Sequence, residues 1–416
     1  MKGAVLRTLQ AIDWDFASPR VGYVAPPHWY PGTFVPALSD SLIEALTPPG
    51  GIVFDPYGGI GTTGWSAMRM GRSCHIADVN PVALLVAYVT NSLLALRRAD
   101  KDRAIATLGT LGRAIGRNDD LFSDSEEAIN GQYIETLVET LCSPTPKALL
   151  DKLVVGPPQW NLLKDWIASE TLTDLSLLID NINNSDSAYI RLLGLCMISA
   201  TARGASSQHA SWGHIADNVR PKEMLPQNIH SATTRWLKRT RAFLLLPMAD
   251  GFGHELSITK PNIHIRDWSK SHEMGPGDAD LLLTSPPYAD AIDYTLAQRL
   301  SLYILGYDDA AIQGLVSSEI GARRKRFKNV SRTDWSRQLC EALTNQITWL
   351  KPDGTICLVL PHKDTGRRVG EDDLKSAMDK LGWHLFFEQD RSIHQSHTRQ
   401  SWTSIKQETI LAFAAA

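Results

Sequence analysis

A glycine-rich segment between a predicted strand and a predicted helix has the composition of a ligand-binding turn. It reads Asp-Pro-Tyr-Gly-Gly-Ile-Gly-Thr-Thr over residues 55–63. Glycines there let backbone N–H groups approach a ligand from the N-terminus of the following helix. Asp78 ends the next predicted strand 20 positions after Gly58 (78 − 58 = 20), where nucleotide-binding α/β folds place a carboxylate that accepts hydrogen bonds from ribose hydroxyls. The pattern indicates a cofactor-binding turn, with a purely structural turn as the alternative, and the missing Gly-Lys-Ser/Thr sequence excludes a P-loop.

The segment Thr284-Ser285-Pro286-Pro287-Tyr288 is the most specific feature of the chain. Its two prolines fix the backbone and supply no N–H, so their carbonyls can face outward as acceptors. An exocyclic amine on a nucleobase needs such acceptors, because its lone pair is conjugated with the ring until its hydrogens are engaged. Ser285 and the Pro286 carbonyl could hold such an amine, and Tyr288 offers a flat face for stacking on a base taken out of a duplex. A proline-rich loop with a half-buried tyrosine is the alternative.

Both segments resemble motifs of the amino-methylating DNA methyltransferases. Residues 55–63 resemble the first motif of that family, usually DPF-x-G-x-G-T-T, with Tyr57 in place of the phenylalanine. Residues 284–288 resemble its catalytic motif, in which serine marks the cytosine-N4 members and aspartate or asparagine the adenine-N6 members. The resemblance implies transfer of a methyl group from S-adenosylmethionine to N4 of a flipped cytosine in double-stranded DNA. It implies as catalytic residues Ser285, Pro286, Pro287 and Tyr288.

The resemblance extends to other segments that contact the cofactor in that family. Residues 28–36 resemble its cofactor-closing segment, residues 78–81 its second motif, and Asp267 the position that approaches the cofactor's adenine. The motif order, with a long insertion before the catalytic motif, resembles the alpha arrangement of these enzymes. The implied cofactor-binding residues are Tyr30, Thr33, Phe34, Asp55, Pro56, Tyr57, Gly58, Gly59, Gly61, Thr62, Thr63, Asp78, Val79, Asn80, Asp267, Trp268 and Thr284.

The elements that carry these segments alternate between strand and helix. Short apolar runs at 52–54 and 73–77 are typical of buried strands, and helical patterns follow them at 62–70 and 81–96. We predict another helix at 293–305 and further strands at 262–267, 280–284, 355–360, 383–389 and 407–413. This succession predicts an α/β fold with a mostly parallel, doubly wound sheet. Together with the resemblance, it implies the Rossmann-like fold of class I methyltransferases.

Residues 97–255 have a different character, since apolar and charged residues alternate there at helical spacing with Pro, Asn and Ser breaks. We expect a mainly helical insertion that serves as the target-recognition region. It would separate the first part of the catalytic domain at 1–96 from the second part at 256–416.

The charge balance gives no global sign of nucleic-acid binding. The formal net charge is −3 at 42 basic and 45 acidic residues, so a DNA-binding protein of this composition needs a local basic face. One candidate is the basic run Arg323, Arg324, Lys325, Arg326 and Lys328, which we predict to grip phosphates unless it is simply a solvated loop. The polar stretches 203–209 and 220–222 are equally consistent with target contacts and with a plain interdomain loop.

Other residue patterns exclude several classes of protein. The five cysteines are dispersed without a CxxC pair or any other metal-binding frame, which predicts reduced thiols and no metal. None follows a proline, which argues against the covalent chemistry of carbon-5 cytosine methylases. We expect no signal peptide and no membrane span, hence a cytoplasmic protein of a bacterium or archaeon, with a cognate restriction enzyme or other defence protein as a partner. The competing functions are methylation of adenine N6, methylation of an amine in RNA, and non-catalytic DNA recognition in a defence complex.

Overall fold

The computed structural model describes residues 2–16, 27–116, 129–208, 212–246, 260–270, 273–287, 293–321, 332–362, 371–393 and 407–415. Its strands are β1 (Ile52–Asp55), β2 (Ser73–Asp78), β3 (Pro261–Ile265), β4 (Ala279–Thr284), β5 (Leu350–His362), β6 (Trp383–Ser392) and β7 (Gln407–Ala415). The helices before β3 are α1 (Lys2–Gln10), α2 (Pro36–Leu46), α3 (Thr62–Arg69), α4 (Pro81–Ala99), α5 (Lys101–Ala114), α6 (Gly131–Leu141), α7 (Pro146–Leu153), α8 (Trp160–Leu163), α9 (Ser169–Asn183), α10 (Ala188–Ala205), α11 (Trp212–Ala216) and α12 (Ile229–Leu244). Those after β4 are α13 (Tyr294–Ala297), α14 (Arg299–Ile304), α15 (Asp309–Ser318), α16 (Arg332–Gln346) and α17 (Glu371–Lys380).

The described strands form one mostly parallel sheet in the order β3-β2-β1-β4-β5-β7-β6. The pairs from β3 to β5 are parallel, and β7 runs antiparallel to both of its neighbours. The chain passes outward from β1 to β2 and β3 and then returns to place β4 on the other side of β1. This confirms the predicted Rossmann-like, doubly wound sheet. It also puts the point where the strand order reverses between β1 and β4.

Alternating strand residues divide the core between the two faces of the sheet. Val53 and Leu281 face the larger cluster, which includes the helices of the insertion. Phe54 and Leu282 face a second cluster that includes residues of α16 and α17. Since successive side chains of a strand point to opposite faces, the apolar runs in β1 and β4 are those of strands covered on both sides.

The long connection between β2 and β3 contains α4 to α12, so the described part of the region predicted to be mainly helical is mainly helical. Its helices pack into the same cluster as one face of the sheet. One helix of the described chain, α4, is long and apolar enough to cross a membrane, although the sequence was expected to contain no such stretch. Because 83% of its most apolar window is buried within the protein, α4 is weak support for a membrane span.

Two elements depart from their predicted bounds. The helix predicted at 293–305 is divided into α13 and α14 at Gln298, which leaves the helical region with φ −100° and ψ 15°. The strand predicted at 355–360 begins earlier, at Leu350, and residues 352–354 form a bulge in β5, because Leu350 pairs with Ala279 whereas Thr355 already pairs with Leu281.

Candidate active site

Two motif loops meet at the carboxyl ends of β1 and β4, where the strand order reverses. They are the glycine loop (residues 55–63) and the Ser-Pro-Pro loop (residues 285–287). Parallel α/β sheets bind ligands at this position. Asp55 ends β1 and Thr284 ends β4, and the Thr284 hydroxyl donates a 2.6 Å hydrogen bond to Asp55 Oδ1. Two segments 229 positions apart in the chain are therefore joined directly at the switch point.

The glycine loop is held tightly between β1 and α3. The Gly58 N–H donates to the Ala77 carbonyl at 3.0 Å, and a Cβ on Gly58 would lie 2.3 Å from Cγ2 of Ile76. Gly61 precedes α3 with φ +80°, a conformation that side chains other than glycine rarely adopt. Glycine is thus required for lack of space at one position and for backbone conformation at the other.

Asp78 connects the glycine loop with the start of α4. Its carboxylate accepts hydrogen bonds from the N–H groups of Gly59 at 3.0 Å and Asn80 at 2.8 Å. The Asn80 side chain caps α4 by accepting from Val82 N–H, and its amide donates to the Tyr30 hydroxyl at 3.3 Å. These contacts bring together the glycine loop, the end of β2 and residues 28–36, called here the N-terminal segment.

The N-terminal segment is anchored on the insertion by His28. The His28 Nδ1–H donates to the Trp29 carbonyl at 2.6 Å, so Nε2 is the atom that accepts from the Ser199 hydroxyl at 2.9 Å. Burial, together with the positive charges of Arg203 and Arg239, lowers the pKa of His28 to about 4, which keeps the ring neutral near pH 7. The Arg203 guanidinium lies over the Trp29 ring at 4.4 Å.

A cleft with about 850 Å³ of empty space, part of it open to solvent, lies between these segments. It is lined by most of the residues implied by the family resemblance. The cofactor-binding candidates in the lining are Tyr30, Thr33, Phe34, Asp55, Tyr57, Gly58, Gly59, Thr62, Asp78, Val79, Asn80 and Trp268, and the catalytic candidates there are Ser285 and Pro287.

The remaining candidates lie around the lining or outside the described residues. Pro286 and Thr63 are buried, and Thr284 is buried against Asp55. Pro56 and Gly61 belong to the glycine loop without lining the cleft, and Asp267 lines a neighbouring depression, where it pairs with Lys270 at 2.9 Å. Tyr288 and the basic run Arg323, Arg324, Lys325, Arg326 and Lys328 lie outside the described residues.

The cleft also contains residues that sequence reasoning missed, namely Gly32, Ile60, Arg266, Tyr294, Ser318, Glu319 and Ile320. Tyr294 stacks on Tyr30 with ring centres 6.1 Å apart. Glu319 follows α15, and one of its oxygens accepts from both the backbone N–H and the hydroxyl of Thr295. Proximity of Arg266 to the predicted Asp267 and Trp268 was the signal that could have identified it, whereas Glu319 lies in no motif.

Three carboxyl groups give the cleft its electrostatic character. Burial raises the pKa of Asp55 to about 6, although hydrogen bonds from Thr284 and Tyr57 oppose the shift. Burial also raises the pKa of Asp78 to about 6 against its backbone hydrogen bonds. For Glu319, burial and the nearby charges of Asp293 and Asp78 raise the pKa to about 7. The cleft can thus gain up to three negative charges between about pH 5 and pH 8, which suits a cationic ligand.

The residues present fit S-adenosylmethionine. Asp78 would supply a carboxylate for ribose hydroxyls, Asp55 a carboxylate for the charged methionine part, and Trp268 and Phe34 apolar surface, and all four residues line the cleft. Among the described residues, no group of three or more His, Cys, Asp or Glu side chains is arranged to hold a metal ion.

Two comparisons with known proteins point to the same chemistry. The family model described as DNA methylase, of the N6/N4 methyltransferase type, matches residues 14–88, which include the N-terminal segment, the glycine loop and Asp78. The Type II methyltransferase M.MjaII of Methanocaldococcus jannaschii is 21% identical over an alignment of 411 positions, which covers 85% of this chain and 76% of the relative. The family model supports a DNA methyltransferase of the N6/N4 type, and the relative supports a methyltransferase. The alignment with this relative extends over most of the chain, whereas the family model matches only its N-terminal part.

Proposed function

We propose that this protein transfers a methyl group from S-adenosylmethionine to the exocyclic N4 of cytosine in double-stranded DNA. The observation that carries the proposal is the junction of the glycine loop and the Ser-Pro-Pro loop at the switch point, joined through Thr284 and Asp55. Ser285, Pro287 and most of the proposed cofactor-binding residues line one cleft, which supports the proposal.

The cofactor supplies an activated methyl group on a sulfonium, which leaves readily to a nitrogen nucleophile. In this proposal Asp78 accepts hydrogen bonds from its ribose, and Asp55 interacts with its methionine part. The stacked pair of Tyr30 and Tyr294 lines the cleft, and in this proposal it helps to exclude water from the reaction.

The Ser-Pro-Pro loop prepares the amine. Ser285 lines the cleft, and its hydroxyl together with the Pro286 carbonyl can engage the hydrogens of the amine, so that the lone pair faces the methyl group. The catalytic gain comes mainly from this positioning. When the N–C bond has formed, the amine nitrogen releases one proton to water or to a cleft carboxylate. Tyr288 remains the predicted stacking partner of the flipped base.

DNA is the proposed substrate because basic groups lie beside the N-terminal segment of the cleft despite the overall negative charge. Arg203 stacks on Trp29, and the positive charges of Arg203 and Arg239 both help to lower the pKa of the buried His28. Guanidinium groups at this place can neutralise phosphates. The basic run after the catalytic loop remains a predicted second contact. A cytoplasmic location in a bacterium or archaeon, alongside a restriction enzyme, belongs to the same proposal.

The test is mass spectrometry of nucleosides from mixed-sequence duplex DNA incubated with the protein and S-adenosylmethionine. We expect N4-methylcytosine from the wild type and a loss of at least about a hundredfold in Ser285→Ala, since Ser285 acts on the reacting amine. Ser176→Ala on α9, whose side chain does not line the cleft, is the matched control and should retain full activity.

Each other outcome has a definite meaning. Formation of N6-methyladenine would leave the proposed methyl transfer in the cleft intact. It would refute cytosine N4 as the target, which is inferred from Ser285. Methylated RNA with unmodified DNA would refute the substrate. If neither nucleic acid is methylated and Ser285→Ala leaves DNA binding unchanged, the protein is a non-catalytic binding module.

A further inference from the structure

Two buried tryptophans donate ring N–H hydrogen bonds to proline carbonyls in the two motif loops. The Trp335 indole N–H, on the first turn of α16, donates to the Pro287 carbonyl at 2.8 Å. The Trp268 indole N–H donates to the Pro56 carbonyl at 2.7 Å. Both tryptophans are 6% exposed. The contact of Trp335 spans 48 positions of the chain, so no local sequence pattern indicates it.

These tryptophans belong to the same core cluster, on the face of the sheet opposite the insertion. Trp349 is a third member, stacked on Phe54 with ring centres 4.5 Å apart and in edge contact with Trp268 at 6.2 Å. Within the part of the chain that the structure describes, the Trp349 ring N–H has no hydrogen-bond partner. One cluster therefore contains two indoles that hold motif loops and one that only packs.

The chemistry of the Ser-Pro-Pro segment makes a carbonyl contact there consequential. Proline has no N–H, so Pro286 and Pro287 can be tied to the protein through their backbone only by their carbonyls. Their φ angles are already restricted by the ring, which leaves the ψ rotations as the main freedom of the segment. A donor on the last carbonyl restricts that remaining freedom, and Ser285 lies just two residues away.

We propose that Trp335 is a positioning residue, which holds the Pro287 carbonyl and thereby keeps Ser285 and Pro286 in the position that they need for the reaction in the cleft. The inference rests on the proposed function for its kinetic consequence. Trp268 has the corresponding relation to the glycine loop through Pro56. The two loops are thus set against each other by one aromatic core rather than by the cleft residues alone.

The experiment compares Trp335→Phe with Trp349→Phe. Each change removes the same ring atoms from the same cluster, but only the first removes a hydrogen bond to a motif loop. In single-turnover assays with saturating S-adenosylmethionine and DNA, we expect Trp335→Phe to slow methylation by about tenfold to a hundredfold, since small misplacements of reacting groups have effects of this size. The Kd for S-adenosylmethionine should stay within about twofold, and Trp349→Phe should stay within about threefold of the wild-type rate.

A second readout does not depend on the reaction. Amide hydrogen exchange at Ser285 and Tyr288, the two residues of 285–288 that carry an N–H, should be faster in Trp335→Phe than in Trp349→Phe, measured in a peptide that begins at least three residues before Ser285. The proposal is overturned if both variants match in rate and exchange, if cofactor affinity falls in parallel with the rate, or if Trp335→Phe alone fails to fold. If the wild type methylates no nucleic acid, the proposed function fails, and the exchange measurement still decides whether Trp335 holds the loop.

Discussion

Lowering the pH from 7 to 5 should weaken the binding of S-adenosylmethionine by up to about a hundredfold. The reason lies in Asp55 and Asp78, whose pKa values burial raises to about 6. A group with a pKa of about 6 is about nine-tenths ionised at pH 7 and about one-tenth at pH 5. If the cofactor requires both carboxylates in their charged form, each contributes about tenfold to the change in Kd.

Isothermal titration calorimetry of the protein with S-adenosylmethionine, without DNA, measures this dependence directly. Asp78→Asn imitates a permanently protonated Asp78, so its affinity at pH 7 should fall at least about tenfold and its pH dependence should shrink by about half on a logarithmic scale. Asp353→Asn, an exposed change in the bulge of β5, should leave the curve unchanged. A Kd for the wild type that stays constant or improves as the pH falls would refute the reasoning.

The same carboxyl groups should have the opposite effect on the stability of the ligand-free protein, which they increase as the pH falls. A folded-state pKa raised above the ordinary value of 3.8 means that the folded protein binds protons more tightly, so Asp55 and Asp78 stabilise it increasingly as the pH falls from about 7 to about 4. The lowered pKa values of His28 and His264 act in the other direction, because the unfolded chain takes up their protons first. The measurement is therefore the difference in Tm between wild type and Asp78→Asn, which should grow in favour of the variant as the pH rises.

Two further predictions concern the glycine loop and the basic surface. Gly58→Ala should weaken cofactor binding at least about tenfold and lower Tm, because its Cβ would lie 2.3 Å from Ile76. Gly314→Ala, with open space in α15, should instead raise the unfolding free energy by about 0.5–1 kcal/mol. Calorimetric titration and thermal melts measure both variants, and equal effects would contradict the steric argument. Arg203→Ala should reduce the slope of log Kd for duplex DNA against log salt by about 1. Arg103→Ala is the control and should leave the slope unchanged, because the Arg103 guanidinium already pairs with Asp100. An unchanged slope in Arg203→Ala would show that Arg203 does not contact DNA phosphates.

Local patterns in the sequence were sufficient for the elements that carry the motifs. The apolar runs of β1 and β2 and the helices after them lie within a few residues of their predicted bounds, because strand burial and helix starts depend on neighbouring residues. The glycine loop could be predicted in part for the same reason, since the positive φ of Gly61 is a property of a single βα turn. The crowding of Gly58 comes from Ile76 on the neighbouring strand β2. Prolines, glycines and alternating apolar residues act over short distances.

The break at Gln298 was beyond such patterns, because its causes lie elsewhere in the chain. Thr295 is held by Glu319, and Arg299 donates to Asn218 on the insertion at 2.9 Å. No periodicity in residues 293–305 records either contact. The helix is divided where two distant segments bind its polar residues.

The sequence by itself determined which residue types stand at the ends of β1, β2 and β4, and so the kind of chemistry available. Only the tertiary structure decided that Glu319 would join them in the cleft and that the Trp335 indole would donate to the Pro287 carbonyl. Strand order converts separations of tens to hundreds of positions into hydrogen-bonding distance, and that order follows from how both faces of the sheet are buried. Neighbouring residues carry no information about it, because the free energy of that burial belongs to the folded chain as a whole.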